Sequence, residues 1–168
     1  MCSISNQDLV TKFLEDAENF FCAPRPVRAT FDVQEIPNAL HADWDAARNH
    51  VTIRIQPGWD DYQRRGRLAH ESFHVFSPAT LAEATYLDEG LATLLAKQCL
   101  SYLPPPDQKK YCEALSLTER LIAACPGAIK KLTRGGKRIA LASANDIVSV
   151  CKDFPAGDAD LLVRKFYA

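Results

Sequence analysis

The feature that most constrains the fold is a change in hydrophobic spacing at Pro57 and Gly58. Before these residues, three short segments alternate apolar and polar side chains, which is typical of half-buried β-strands. After them, from Trp59 to about Phe76, apolar and small residues recur at the spacing of an amphipathic helix. The sequence therefore predicts a small sheet followed by a helix. The three strand segments are TFDVQEI, ALHADWD and HVTIRIQ.

The last two strand segments predict a β-hairpin from Ala39 to Gln56, with the turn at AARN. Because side chains alternate along a strand, the second strand of the hairpin has one apolar face and one polar face. We expect the apolar face to lie on the core. The apolar residues are Val51, Ile53 and Ile55, and the polar ones are Thr52, Arg54 and Gln56.

Helical spacing also fits most of the remaining chain, where prolines and glycines separate the helical segments. Ser143 and Asp158 are the expected N-caps of the last two helices. The predicted helices cover residues 7–21, 86–100, 107–124, 143–152 and 158–166.

This order of elements predicts an α+β fold: a small N-terminal antiparallel or mixed sheet packed on a helix, then a mainly helical C-terminal half. We expect a single domain over residues 1–168, because 168 residues with 47% hydrophobic content fit one globular unit. Within it, residues 23–76 carry the sheet and the helix that follows. Residues 77–168 form a helical subdomain.

Charge and hydropathy exclude several classes of partner. A formal net charge of -1 provides no overall field for nucleic acid, and we expect the basic run from Lys130 to Arg138 to be a solvated turn. No segment is apolar enough to span a membrane. The first ten residues lack the pattern of a secretory signal, which predicts a cytoplasmic protein; secretion is the alternative if a leader was removed.

The six cysteines lie at positions 2, 22, 99, 112, 125 and 151, without a CxxC pair. This spacing argues against a zinc ribbon or a dithiol redox centre. We expect buried thiols, above all at Cys99 and Cys112, whose sequence neighbours are apolar. An even number also permits three disulfides in an oxidising compartment.

The motif that carries chemistry is HESFH, residues 70–74, inside the helix after the sheet. His70 and His74 are four residues apart, so both imidazoles lie on one helix face and can bind one Zn²⁺. Glu71 points beside that metal, where its carboxylate can act as a general base on a water molecule. The motif therefore predicts zinc-dependent hydrolysis with Glu71 as the catalytic residue.

Catalytic zinc sites commonly use three protein ligands, so a third ligand must exist. Glu89 follows His74 after 14 intervening residues, in the run LDEGLA at the start of the next predicted helix. Two helices joined by a link of this length can pack side by side. We therefore expect Glu89 to complete the site.

HESFH followed by LDEGLA resembles the gluzincins, a clan of zinc metallopeptidases with a zincin-like fold. The resemblance covers residues 39–100 and implies one Zn²⁺ per chain, with His70, His74 and Glu89 as ligands and Glu71 as general base. It also implies an extended peptide or protein substrate that pairs with an edge strand, expected near residues 50–56. A GxMxN-like exopeptidase signature is absent, so the expected activity is that of a small endopeptidase.

Further residues are candidates for supporting roles in hydrolysis. Peptidases of this kind steady the oxyanion with a donor near the metal, and the candidates are Tyr86, Tyr102 and Tyr111. Metal-bound histidines donate their second N–H to a neighbouring acceptor, for which the candidates are Asp88 and Thr93. We expect His41 and His50, which flank the hairpin, to be exposed strand or turn residues rather than ligands.

Three alternatives stay open from the sequence. The first keeps the zinc but not turnover: a catalytically silent or latent gluzincin-like module with a regulatory or protein-binding role. The second is a structural zinc site closed by a fourth side chain. The third has no metal, with two histidines that share the face of a solvated helix and with Glu89 favoured by the helix dipole.

Overall fold

The computed structural model describes residues 4–105 and 107–167. Over these residues the chain forms an α+β fold with seven helices and one three-stranded sheet. The strands are β1 (Thr30–Glu35), β2 (His41–Asp45) and β3 (His50–Ile55). The helices are α1 (Asn6–Phe20), α2 (Asp61–Phe76), α3 (Tyr86–Leu100), α4 (Lys109–Ala124), α5 (Ala128–Leu132), α6 (Ala144–Val150) and α7 (Ala156–Leu162).

The sheet has the order β1-β3-β2, with β3 parallel to β1 and antiparallel to β2. The predicted hairpin is confirmed, and the three apolar residues of β3 are at most 1% exposed. The expectation of an edge strand near residues 50–56 is wrong. Since β3 is hydrogen-bonded on both sides, it cannot pair with a further strand, and the edges of the sheet are β1 and β2.

The helix bounds follow local capping. Asp60 caps α2 by accepting a hydrogen bond from the Gln63 backbone N–H, and Ser143 caps α6 as predicted. Asp158 is not an N-cap, because α7 already begins at Ala156 and includes it. That helix also ends at Leu162, before the predicted end, because the chain after it pairs with the start of α3. The Arg164 carbonyl accepts from the Tyr86 N–H, and the Phe166 N–H donates to the Ala84 carbonyl.

Helix α3 is the most enclosed element: every residue from Leu87 to Ala96 is buried. It packs between α2 and α4, and Gly90 permits the approach to α4, since a Cβ there would lie 2.5 Å from the Ala114 carbonyl oxygen. Helix α2 in turn contacts α1 and the sheet. The core therefore places α2 and α3 side by side.

The described cysteines are unpaired thiols, and Cys2 lies outside the described residues. Cys99 is half-buried, but Cys112 is exposed, so the expectation of a buried thiol there is wrong. Cys112 lies on the solvent side of α4, whose buried side chains belong to Ala114, Leu115 and later residues. Among the described helices, none has the length and hydropathy needed to cross a membrane.

Candidate metal centre

Helix α2 carries the two histidines of the motif on one face. Their imidazole centroids lie 5.4 Å apart, which is the distance expected for residues four apart on a helix. The side chains are nearly enclosed, with 10% of His70 and 11% of His74 exposed. Neither ring is therefore part of a solvated face.

Helix α3 brings Glu89 to this pair. Thr85 and Asp88 form a capping box that fixes the start of the helix, and Glu89 follows in the first turn. Its Oε2 lies 3.2 Å from His70 Nε2, and its Oε1 lies 3.6 Å from His74 Nε2. The three side chains proposed from the sequence as ligands thus lie next to one another.

The residues present fit a zinc ion. One donor atom from each of the three side chains can be chosen so that all lie within 4.8 Å of one another. Tetrahedral ligands at Zn–N distances of about 2.0–2.1 Å are about 3.3 Å apart. This is close to the 3.2 and 3.6 Å that separate the two histidine nitrogens from the oxygens of Glu89. Two imidazole nitrogens and one carboxylate oxygen are also a donor set used by catalytic zinc sites.

The electrostatics of the cluster favour an ionised Glu89. Burial alone raises the pKa of this carboxyl, but the neighbouring His74 and His70 and the Tyr167 hydroxyl lower it below its usual value. Burial lowers the pKa of His70, but the hydrogen bond to Glu89 and the negative charges of Glu71 and Glu89 raise it above its usual value. A negative group therefore faces two imidazole nitrogens in a site with little solvent.

Glu71 lies in the same pocket as the three side chains and is 5% exposed. No hydrogen bond or ion pair within the described residues occupies its carboxylate. Its negative charge raises the pKa of His70, the preceding residue of α2. An unengaged carboxylate beside the cluster is suited to accept and return a proton.

Two tyrosines close the pocket on the side of Glu89. The Tyr167 hydroxyl donates to Glu89 Oε1 at 3.1 Å, and the Tyr111 hydroxyl lies 3.1 Å from that of Tyr167. Burial and the charge of Glu89 raise the pKa of Tyr111 to about 12 and that of Tyr167 further. Sequence reasoning missed Tyr167, because it lies 78 residues from Glu89 and no local motif marks it.

The other two oxyanion candidates do not line this pocket. The Tyr86 ring packs against Phe166, with centroids 5.1 Å apart. The ring of Tyr102 covers Gly66 and contacts Tyr62. Of the three tyrosines considered from the sequence, the structure places only Tyr111 beside the histidines, with its ring centroid 5.8 Å from that of His70.

Asp88 and Thr93 serve the backbone of α3 rather than an imidazole. One carboxylate oxygen of Asp88 accepts from the Thr85 N–H and hydroxyl, and the other has no partner among the described residues. Burial raises the pKa of Asp88 to about 6. The Thr93 hydroxyl donates to the Glu89 carbonyl at 2.7 Å, so it does not reach the carboxylate.

The pocket has one wall from the start of β2 and another from the link between α2 and α3, and it is partly open to solvent. The half-exposed His41 lines it, whereas His50 does not. A second hollow adjoins it, because Ala42, Thr80 and Leu81 line both. Both hollows thus lie beside β2, an edge strand, and not beside β3.

Arg138 holds the link wall in place. Its guanidinium donates two hydrogen bonds to the Glu83 carboxylate, at 3.0 and 3.1 Å, and a third to the Pro78 carbonyl at 3.0 Å. The hydrogen bonds from Arg138 lower the pKa of Glu83 to about 2. The expectation of a wholly solvated turn from Lys130 to Arg138 is therefore wrong at Arg138.

Comparison of the chain with protein-family models, with curated proteins and with solved structures finds no match. The resemblance to the gluzincins therefore rests on the residues of the two motifs.

Proposed function

We propose that this protein is a zinc-dependent peptidase with a zincin-like fold, related in its chemistry to the gluzincins. The observation that carries the proposal is the convergence of His70, His74 and Glu89 in a pocket that also contains a free carboxylate. In this proposal, His70 Nε2, His74 Nε2 and a carboxylate oxygen of Glu89 hold one Zn²⁺. When bound, the ion acidifies a water molecule and polarises a carbonyl group.

Glu71 has the part of proton carrier in the proposed reaction. Its carboxylate takes a proton from the attacking water and delivers it to the amine that leaves when the peptide bond breaks. Low exposure suits this task, because water that competes for the proton is largely excluded. Tyr111 is the candidate from the sequence that remains for the oxyanion, since it alone of the three borders the pocket. In this role its hydroxyl, which is hydrogen-bonded to that of Tyr167 in this structure, turns towards the substrate.

The free edge of β2 is the proposed binding surface for an extended substrate. Strand β2 pairs only with β3 in the described sheet, so the backbone groups of its other edge are available to a further strand. This edge borders the pocket through Leu40, His41 and Ala42. A peptide backbone added there passes beside the histidine pair.

Replacement of Glu71 by Gln tests the proposed function. We expect the wild-type protein with Zn²⁺ to cleave a peptide library, and Glu71→Gln to retain the metal but lose at least about 100-fold in kcat/KM, since general acid–base catalysis contributes that much. Metal content is measured by mass spectrometry and cleavage by chromatography of the products. Glu113→Gln is the matched control, because Glu113 is exposed on α4 and outside the pocket.

Two outcomes would contradict this assignment in different ways. A zinc-loaded wild-type protein that cleaves nothing supports the module without turnover. If Glu71→Gln cleaves as fast as Glu113→Gln, a different group acts as the base.

A further inference from the structure

The segment Arg164–Tyr167, which follows α7, lies across the start of α3. The Arg164 carbonyl accepts a hydrogen bond from the Tyr86 N–H at 3.1 Å, and the Phe166 N–H donates to the Ala84 carbonyl at 2.9 Å. Lys165 and Thr85 form the β-bridge between these two bonds. The segment is therefore joined by its backbone to the residues that begin the Glu89 helix.

Side chains fix the same segment from both sides. Phe166 is 2% exposed and packs edge-on against Tyr86 and Tyr111, at centroid distances of 5.1 and 4.8 Å. The Lys110 ammonium donates to the Phe166 carbonyl at 3.0 Å. Helices α3 and α4 thus clamp Phe166, which sets the position of the next residue, Tyr167.

Tyr167 uses this position to reach Glu89. Its hydroxyl donates to Glu89 Oε1 at 3.1 Å, so the second phenol of the pair, Tyr111, donates to the Tyr167 oxygen. A glutamate side chain has three rotatable bonds, and packing of α3 alone does not orient its carboxylate plane. The hydrogen bond from Tyr167 supplies that orientation and leaves Oε2 facing His70 at 3.2 Å.

We propose that Tyr167 is a positioning residue and that the Arg164–Tyr167 segment is a working part of the metal centre, which binds its metal tightly only while this segment is docked. The inference rests on the metal site of the proposed function. It adds that retention of the metal depends on a segment distant in sequence from the motifs. Detachment of the segment therefore weakens metal binding.

Zinc affinity measured by competition with a chromophoric chelator tests this inference. We expect Tyr167→Phe to weaken zinc binding by about tenfold or more, because loss of a group that orients a ligand typically costs 10–100-fold in affinity. The absorption spectrum of bound Co²⁺ should change as well, since the Glu89 carboxylate loses the hydrogen bond from Tyr167 that orients it. Tyr62→Phe is the matched control, because the Tyr62 hydroxyl also makes one hydrogen bond, to the Ser101 carbonyl, away from the pocket.

Thermal unfolding of the metal-free proteins distinguishes a role of Tyr167 in metal binding from a role in the stability of the fold. If Tyr167→Phe and Tyr62→Phe unfold at similar temperatures and differ only in metal binding, the positioning role is supported. Equal zinc affinities and equal Co²⁺ spectra for the two variants overturn it. A wild-type protein that binds no zinc overturns the inference together with the proposed function, whereas one that binds zinc without cleaving peptides overturns only the peptidase.

Discussion

Two clusters of histidine and carboxylate in this molecule use the same chemical groups in different ways. On the sheet, His50 Nε2 lies 2.7 Å from Asp32 Oδ1, and His50 Nδ1 lies 2.8 Å from the Thr30 hydroxyl. Both ring nitrogens of this histidine are thereby engaged. Between α2 and α3, the Nε2 atoms of two histidines approach one carboxylate, that of Glu89.

The two clusters also differ in their contact with solvent. The side chains of His50 and Asp32 are 32% and 39% exposed, whereas only 2% of Glu89 is exposed. Exposed pairs of this kind contribute little, because water screens them. The presence of a histidine beside a carboxylate is common to both clusters. The candidate metal centre differs because several ligand atoms converge there in a pocket with little solvent.

The largest expected effect is on metal binding, and it tests this distinction directly. His74→Ala removes one of three ligands from the buried cluster, and each ligand of a structural zinc site accounts for roughly 3 kcal/mol, or about 100-fold in affinity. We expect at least that loss, whereas His50→Ala should bind zinc as the wild type does. Isothermal titration with a competing chelator measures both. An equal loss in the two variants would break the comparison.

The sequence predicts the buried cluster well, for a local reason. HESFH sets two imidazoles on one face through helical geometry alone, and a short link with a helix start at Tyr86 limits where Glu89 can lie. The same alternation of apolar residues predicts the hairpin of β2 and β3. In each case, neighbours in sequence become neighbours in space.

The exposed cluster and the tyrosine contact are not predictable in this way. His50 meets Asp32 because β1 runs parallel to β3, and this pairing joins strands that are not consecutive in the chain. For the same reason, the pattern does not reveal that β3 is the central strand. Tyr167 reaches Glu89 only after the segment that follows α7 docks on α3. Long-range pairing determines all three features.

A substitution at Gly90 tests whether the buried cluster depends on the packing of α3 against α4, on which the exposed cluster does not depend. A Cβ at this position would overlap the Thr118 hydroxyl and would lie 2.5 Å from the Ala114 carbonyl oxygen, so α3 and α4 must separate. We expect Gly90→Ala to lower the free energy of unfolding by about 1–3 kcal/mol, as overpacking does, and to weaken zinc binding. Urea unfolding measures the first effect and chelator competition the second.

Gly157→Ala is the control for this experiment, since no atom lies within 4 Å of the added Cβ and α7 gains a better helix former. It should leave zinc binding unchanged and stabilise the fold by up to about 1 kcal/mol. The His50–Asp32 hydrogen bond depends on strand pairing, so its NMR signature should persist in both variants. Zinc binding that survives Gly90→Ala intact would show that the buried cluster tolerates movement of α3.

The smallest expected effect is the acid sensitivity of the exposed cluster. Burial opposes ionisation of Asp32, but its hydrogen bonds to His50, Gln34 and Thr52 lower its pKa below 3.8. Because the folded pKa is the lower one, this carboxylate stabilises the fold above pH 3.8, and the contribution is lost as the pH falls below that value. Asp32→Asn should therefore reduce the free energy of unfolding at pH 7, by less than about 1 kcal/mol since the pair is exposed, and the difference from the wild type should shrink by pH 3. Urea unfolding at both pH values measures it, and a difference that stays constant would mean that Asp32 acts through packing rather than charge.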